Sequence, residues 1–319
     1  MNRQFRIGTR GSALALWQAN HVRDELARRH GVEAELVRIQ TSGDRMQTAS
    51  VAQIEAAQIG AEGSAKGIFT KEIEDALLSG AVDIAVHSMK DVPTQTPAGL
   101  VFAAITRRED PRDCLISRSN RALKGLGSGS RIGTSSVRRQ AQLRHIRPDL
   151  NVTDLRGNVD TRLKKLAAGD FDAIVLAMAG VNRLGAGDKV TQVFNADVML
   201  PAVGQGALGI ETRADDAEAV ALAASLDHAE SRSCVTAERS LLRELEGGCQ
   251  VPVGAWAKIS ADGYLEFEAG VFSPNGNEAV RRIDRGMSGE AEAIGLRLAR
   301  ALIDAGADRI LRLVGRSVG

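Results

Sequence analysis

An internal echo constrains the fold of this 319-residue chain more than any other feature. Ala76-Leu77-Leu78-Ser79-Gly80-Ala81-Val82-Asp83-Ile84-Ala85-Val86-His87-Ser88-Met89 is answered by Lys165-Leu166-Ala167-Ala168-Gly169-Asp170-Phe171-Asp172-Ala173-Ile174-Val175-Leu176-Ala177-Met178. Each reads as a helix stopped by glycine, the residue that takes a left-handed C-cap at least cost. Each then continues as a nearly all-apolar run, the pattern of a strand buried on both faces. A second pair precedes these. Phe5-Arg6-Ile7-Gly8-Thr9-Arg10-Gly11-Ser12 matches Ser130-Arg131-Ile132-Gly133-Thr134-Ser135-Ser136. Both are a short β run and a small-residue turn, with helices expected over Ala13 to Arg29 and Val137 to Ile146.

Strands that alternate with helices imply βαβ units. Further strands are expected over Ala34 to Gln40 and Asn151 to Leu155. The runs Leu100 to Thr106 and Val198 to Ile210 are read as crossings between lobes. The fold class is therefore α/β, with two similar lobes built on mixed, mostly parallel sheets. The last third differs. A helix over Ser233 to Leu245, with Glu238 and Arg239 on its polar side, leads into alternating strands Val253 to Ser260 and Tyr264 to Phe272. The turn Ala261-Asp262-Gly263 joins them as a hairpin. A strand Ala279 to Arg285 and a helix Glu290 to Gly306 complete a small α+β domain. The expected boundaries are residues 1–106 with 207–224, then 107–206, then 225–319.

Composition narrows the class. Hydrophobic content of 44% and charged content of 25% fit a globular chain, and a net charge of +1 gives no global pull toward nucleic acid. Three cysteines (Cys114, Cys234, Cys249) without a C-x-x-C argue against a disulfide framework and a zinc site. No apolar run reaches the ~18 residues of a membrane span. Ala13 to Trp17 follows basic residues, but Gly8-Thr9-Arg10-Gly11-Ser12 breaks any signal-peptide pattern. The chain is expected to be cytoplasmic, and a monomer, since no amphipathic seam stands out.

Strand ends are where open α/β sheets bind ligands, and between two lobes that place becomes a cleft. Lys90 and Asp91 follow the apolar strand of the first lobe. The plain alternative is a solvated charge pair, but the matching place in the second lobe holds Ala179-Gly180, so the fold does not demand an acid. Between Arg131 and Lys165, seven arginines and two lysines face three aspartates, an excess of six positive charges. Arg10, Arg138, Arg139, Arg156 and Arg162 fall at helix starts, where backbone N–H groups and guanidinium forks favour carboxylates or phosphates. Arg144 and Arg147 read as solvated helix-face residues. Lys66 follows a Gly/Ala/Gln-rich stretch, Met46 to Ala65, that reads as a long loop or lid. Cys249 follows Gly247-Gly248, so its thiol is expected to be presented rather than packed.

Taken together, these motifs resemble the porphobilinogen deaminase family nearly end to end. The resemblance rests on Thr9-Arg10-Gly11-Ser12, Lys66-Gly67-Ile68-Phe69, His87-Ser88-Met89-Lys90-Asp91-Val92-Pro93, Arg108-Glu109-Asp110-Pro111-Arg112-Asp113, Gly133-Thr134-Ser135-Ser136-Val137-Arg138-Arg139-Gln140, Leu155-Arg156-Gly157-Asn158, Leu200-Pro201-Ala202-Val203-Gly204-Gln205-Gly206 and Glu246-Gly247-Gly248-Cys249-Gln250. It implies lobes like those of periplasmic binding proteins. It also implies a dipyrromethane cofactor held by a thioether at Cys249, and a transferase of tetrapyrrole (heme, porphyrin) biosynthesis. Four porphobilinogen molecules are deaminated and joined head to tail on the cofactor, and water releases hydroxymethylbilane. In family terms Asp91 is the catalytic carboxylate. Lys90, Ser136, Arg138, Arg139 and Gly206 match cofactor-side positions. Arg10, Ser12, Lys66, Arg156, Arg162 and Arg183 match substrate-side positions. The chain departs from the family where Glu62-Gly63-Ser64-Ala65 replaces a Gly-Gly pair after a longer loop.

Two other classes stay open on the residues alone. A two-lobe solute-binding protein would bind carboxylates reversibly without turnover, and it leaves Asp91 and Cys249 unexplained. A cysteine-nucleophile enzyme needs a base beside the thiol, and no histidine lies near Cys249 in sequence.

Overall fold

Two five-stranded sheets carry the duplication in a computed structural model, which describes residues 3–44, 70–245 and 251–316. The strands of the first two-thirds are β1 (Phe5–Thr9), β2 (Ala34–Arg38), β3 (Ile84–Ser88), β4 (Leu100–Ile105), β5 (Asp113–Ser117), β6 (Arg131–Gly133), β7 (Asn151–Thr153), β8 (Ala173–Ala177), β9 (Gln192–Val193) and β10 (Leu208–Arg213). The first sheet has the order β2-β1-β3-β10-β4, the second β7-β6-β8-β5-β9. In the first, β1 is parallel to β2 and β3, while β10 is antiparallel to β3 and β4. In the second, β6 is parallel to β7 and β8, while β5 is antiparallel to β8 and β9. One strand in each sheet is thus reversed, and it is the strand laid down just after the chain crosses over.

Parallel neighbours need crossovers, and helices supply them. They are α1 (Ala13–His30), α2 (Lys71–Leu78), α3 (Val137–Ile146) and α4 (Val159–Ala168), followed by the short α5 (Met178–Arg183) and by α6 (Ala217–Ala224) after β10. The expected glycine stops are present, with Gly80 at φ +72° and Gly169 at φ +87°. Both faces of each sheet are covered. Ile7, Leu26, Ile84 and Ile210 pack on one side of the first sheet and Ile73, Leu77 and Ala85 on the other. Leu115, Ile132 and Val175 pack on one side of the second, and Ile116, Leu155 and Ile174 on the other. Burying each of the larger of these, the Leu, Ile and Val side chains, contributes about 1.5–3 kcal/mol. Cys114 and Cys234 belong to the packed interior, where burial pushes both thiols up to about 12.

The C-terminal part comprises α7 (Ala229–Glu244), the antiparallel strands β11 (Val253–Ile259), β12 (Tyr264–Phe272) and β13 (Ala279–Met287), then α8 (Ala291–Asp304) and α9 (Ala307–Arg316). Its core joins Ala237 and Leu241 to Phe267, Leu298 and Leu302. The chain divides into two compact units, residues 1–107 with 208–228 and residues 108–207 with 229–319. The second sheet and the C-terminal sheet therefore share one unit.

A buried ion pair helps to join them. Glu238 is 0% exposed and accepts from Arg108 Nη1 and Nη2 at 2.7 and 3.1 Å, from the Gly204 N–H at 2.7 Å and from the Ala257 N–H at 2.9 Å. A buried carboxylate is stable when all its oxygens find donors. Glu238 is thus interior, not on a polar helix face as expected, because Arg108 comes to meet it. The expected strand from Val198 starts only at Leu208. Pro201 removes a ladder donor, and Gly204 and Gly206 at φ +70° and +89° turn the chain out of extended geometry. Arg144 and Arg147 are not simply solvated. Their guanidinium groups donate to the Pro274, Leu123 and Leu126 carbonyls.

Candidate active site

In the first unit the expected site residues follow the carboxyl ends of β1 and β3, which are adjacent parallel strands. After β1, Ser12 caps α1. Its Oγ accepts from the Ala15 N–H at 3.3 Å, which satisfies an otherwise orphaned donor of the first turn. Arg10 forks onto Asp44 through Nε at 3.0 Å and Nη2 at 2.5 Å, and Thr41 Oγ1 donates to the same carboxylate at 2.8 Å. Burial pushes the Asp44 carboxyl up, but the bonds from Arg10 and Thr41 outweigh it and hold the group below its ordinary value. After β3 the chain makes one tight 3-10 turn, Met89–Asp91. Met89 points inward and is buried, whereas Lys90 and Asp91 are half-buried. Among the described residues nothing pairs with the Asp91 carboxylate.

In the second unit the corresponding strands are the parallel trio β7-β6-β8. Ser136, after β6, caps α3, its Oγ accepting from the Arg139 N–H at 3.4 Å. Asn158, after β7, caps α4, accepting from the Thr161 N–H at 2.9 Å. Both helices thus start with a capped first turn just after a strand, and helix N-termini favour anions. Arg156 lies exposed in the loop before α4. Arg162, within α4, donates from Nε to the Gly157 carbonyl at 2.7 Å. Arg183 closes α5 after β8, is buried, and donates from Nη2 to the Gly206 carbonyl at 2.7 Å. Burial pushes its guanidinium down to about 10, partly offset by Glu109.

Arg138 and Arg139 are buried too, and both reach one acid, Asp113 at the start of β5. Arg138 Nη1 lies 2.6 Å from Asp113 Oδ2. Arg139 Nε and Nη2 lie 3.0 and 2.7 Å from Oδ1. Gln205 Nε2 adds a donor at 3.0 Å. Burial opposes ionisation of Asp113, but the two guanidinium charges prevail and hold the carboxyl at about 2. Two guanidiniums against one carboxylate leave one buried positive charge in excess. Arg138 Nε, moreover, is buried without a hydrogen-bond partner among the described residues. Such a group is costly unless an acceptor meets it. Gly206 sits in the same network at φ +89°, where a Cβ would stand 2.4 Å from the Glu109 carbonyl oxygen, so only glycine fits.

Sequence reading did not assign a role to Asp113. The signal available to it was an acid at the head of the apolar run Cys114-Leu115-Ile116, where a charge must be paired to be buried. Nor did it single out Gln205 or Arg108–Glu238. Cys249, Lys66 and the stretch Met46 to Ala65 lie outside the described residues.

Two mixed α/β sheets of like strand order carry the expected site residues at or just after their strand ends. Residues 5–221 match the family described as porphobilinogen deaminase, dipyromethane cofactor binding domain, and residues 232–304 match its C-terminal domain. The porphobilinogen deaminase of Pelotomaculum thermopropionicum is 49% identical over 313 residues, covering 98% of this chain and 97% of that one. That of Trichlorobacter lovleyi is 47% identical over 310 residues, covering 97% and 96%. The chain belongs to the porphobilinogen deaminase family, transferases that work with a dipyrromethane cofactor. Among solved structures the methionine-binding protein MetQ is similar at a TM-score of 0.42 and 15% identity, over 70% of this chain and 89% of that one, a likeness too slight to argue from.

Proposed function

We propose that the chain deaminates porphobilinogen and joins four units head to tail into hydroxymethylbilane, with Asp91 as the catalytic carboxylate. The observation that carries the reading is the arginine cluster of the second unit, in which Arg138 and Arg139 share the single carboxylate of Asp113 and Arg138 Nε has no hydrogen-bond partner among the described residues. A dipyrromethane bears several carboxylates. Arg138, with its buried unpartnered Nε, and Arg139, Ser136 and Gly206 suit them, as does Lys90. When bound, that group supplies a pyrrole primer on which the product chain grows.

The protein's own residues supply the rest. Arg10, Ser12, Arg156, Arg162 and Arg183 receive the acetate and propionate groups of the substrate, and Lys66 assists them. Guanidinium forks fit carboxylates in two-point fashion and fix orientation as well as charge. Asp91 faces the positive charge that develops on the substrate pyrrole as ammonia leaves, and it moves protons to and from the reacting groups.

Cys249 carries the primer as a thioether. Intact mass of wild type and Cys249→Ser tests this. Wild type should exceed its sequence mass by two condensed pyrrole units and the variant should not. A bare wild-type mass that stays bare after porphobilinogen is added would refute the reading. Three further parts belong to the proposal: the C-terminal part acts as a third domain, the protein works as a monomer, and it resides in the cytoplasm. Among the described residues no helix is long and apolar enough to cross a membrane. Sedimentation at working concentration checks the monomer.

A further inference from the structure

His87, Glu211 and Glu74 form a buried titratable group in the first unit that the chemistry above does not use. His87 is the last inward-facing side chain of β3 before the Met89–Asp91 turn. Its Nε2 lies 2.9 Å from Glu211 Oε2 on β10, with the side chains 4% and 0% exposed. The two atoms touch without the alignment of a full hydrogen bond, and among the described residues neither Glu211 oxygen has a hydrogen-bond partner. Glu74 of α2 approaches the same place. Burial chiefly pushes its carboxyl up, and the Glu211 charge adds to this while His87 opposes it.

The surroundings leave His87 little freedom. Its ring stands edge-on to Phe102 of β4 at 6.0 Å between centroids. Directly across the ladder from His87 is Gly209. A Cβ there would stand 2.3 Å from Met89 Sδ and 2.8 Å from Phe102 Cδ1. Gly209 therefore leaves the gap that Met89, the first residue of the turn, occupies. The turn is held at Met89 by this gap and at His87 by the buried acid. A stray pair of this kind is hard to explain as a source of stability, because buried, imperfectly aligned polar groups cost free energy. Strain of that sort is tolerated where geometry matters.

We propose that the buried His87–Glu211 pair is the positioning element for the catalytic turn. It fixes the end of β3, and with Met89 over Gly209 it sets where Asp91 points. The inference rests on the reading of Asp91 as the catalytic carboxylate. A misplacement of about 1 Å can cost on the order of a hundredfold in rate, so a pair one strand away from the chemistry can govern turnover without touching substrate.

The test measures kcat and KM for porphobilinogen per cofactor-bearing molecule, counted by intact mass, on the full-length holoenzyme. His87→Ala and Glu211→Ala should each lower kcat about tenfold or more, with KM within about threefold of wild type. Their double variant should fall no further than the worse single one, since both break one contact. Glu211→Gln keeps an acceptor in place and should recover most of the loss. A purely structural role would reduce the number of loaded molecules and leave kcat per molecule intact, which would overturn the proposal. If the alanine variants yield no folded protein, His87→Gln decides: unchanged kcat sinks the idea, and a fall of about threefold or more at constant KM supports it. Asp91→Ala, run alongside, separates the two claims. Its inactivity with normal His87 and Glu211 variants removes only the positioning role, whereas its normal activity removes the reading of Asp91 itself.

Discussion

The two sheets share one topology and equip their carboxyl ends in opposite ways. After β3 the chain makes a single tight turn that presents Lys90 and Asp91 half-buried. After β8, at the matching place, it runs straight into α5, where Ala179 and Gly180 are buried. After β1 a lone arginine, Arg10, meets a partly exposed acid, Asp44. After β6 two buried arginines share one buried acid, Asp113. The scaffold dictates that something must happen at these strand ends. It does not dictate what, so the side chains that differ between equivalent places are the ones on which the proposed chemistry rests.

The sharpest way to break this comparison is at Asp113. Asp113→Asn keeps the shape and removes the charge, leaving Arg138 and Arg139 buried against each other. Loss of one partner from a buried ion cluster costs about 3–5 kcal/mol, and urea denaturation should show a midpoint lowered accordingly. The pH dependence has a definite sign. The folded carboxyl is held at about 2 against an ordinary 3.8. Its contribution is therefore complete above the ordinary value and is lost as pH falls through about 2. Wild type should lose stability between these limits, and the variant should lack that component. The corresponding change at Asp44, a partly exposed acid, should have a much smaller effect. Equal losses at both would mean that burial does not distinguish the two units.

Next in size is Asp91→Ala. Removing one preorganised charge partner of a transition state raises the barrier by about 2.7–4 kcal/mol, a drop of about a hundredfold to a thousandfold in kcat. The fold should be untouched, since no described residue leans on that carboxylate. Full stability with turnover nearly gone is the expected pair of results. Substantial turnover would remove Asp91 from the chemistry.

A smaller effect is expected at Gly206, where the chain passes the Glu109 carbonyl with no room for a side chain. Gly206→Ala forces a positive-φ residue and a backbone clash, a cost of about 1–3 kcal/mol. Because Arg183 leans on the Gly206 carbonyl, KM should rise along with the loss of stability. An unchanged KM would detach Arg183 from substrate binding.

These predictions depend on features that the sequence discloses unequally. The strand–turn–helix order was legible, because apolar runs of strand length and glycine stops obey short-range rules. Helix α3 occupies the very span expected for it, Val137–Ile146. The reversal of β5 and β10 was not legible, since strand direction depends on a crossover between distant segments. Neither was the pairing of Arg108 with Glu238 or of Arg138 and Arg139 with Asp113, whose partners are far apart in the chain. Glu238 read as a polar-face residue because helical periodicity says which side a residue is on, not what comes to meet it. Asp91 stands out in the sequence as a candidate because the duplication supplies its own comparison at Ala179-Gly180.

The finest distinction lies between Ser12 and Ser136. Both hydroxyls cap a helix at a strand end, accepting from the Ala15 and Arg139 N–H groups. A cap uses the oxygen as acceptor and leaves the hydroxyl proton to donate elsewhere. Replacement by alanine should cost about 1 kcal/mol at either place from the lost cap alone. Asp is an equally good cap and adds a charge the helix N-terminus welcomes. Ser12→Asp and Ser136→Asp should therefore restore stability, read as a thermal midpoint near wild type. They should also place a carboxylate against the carboxylates that the proposed site receives. If Ser136 serves the cofactor, Ser136→Asp should retain the fold and reduce the fraction of molecules carrying the pyrrole mass. If Ser12 serves the substrate, Ser12→Asp should leave that mass intact and raise KM. Stable variants with full cofactor loading and unchanged KM would mean that both serines are helix caps and nothing more.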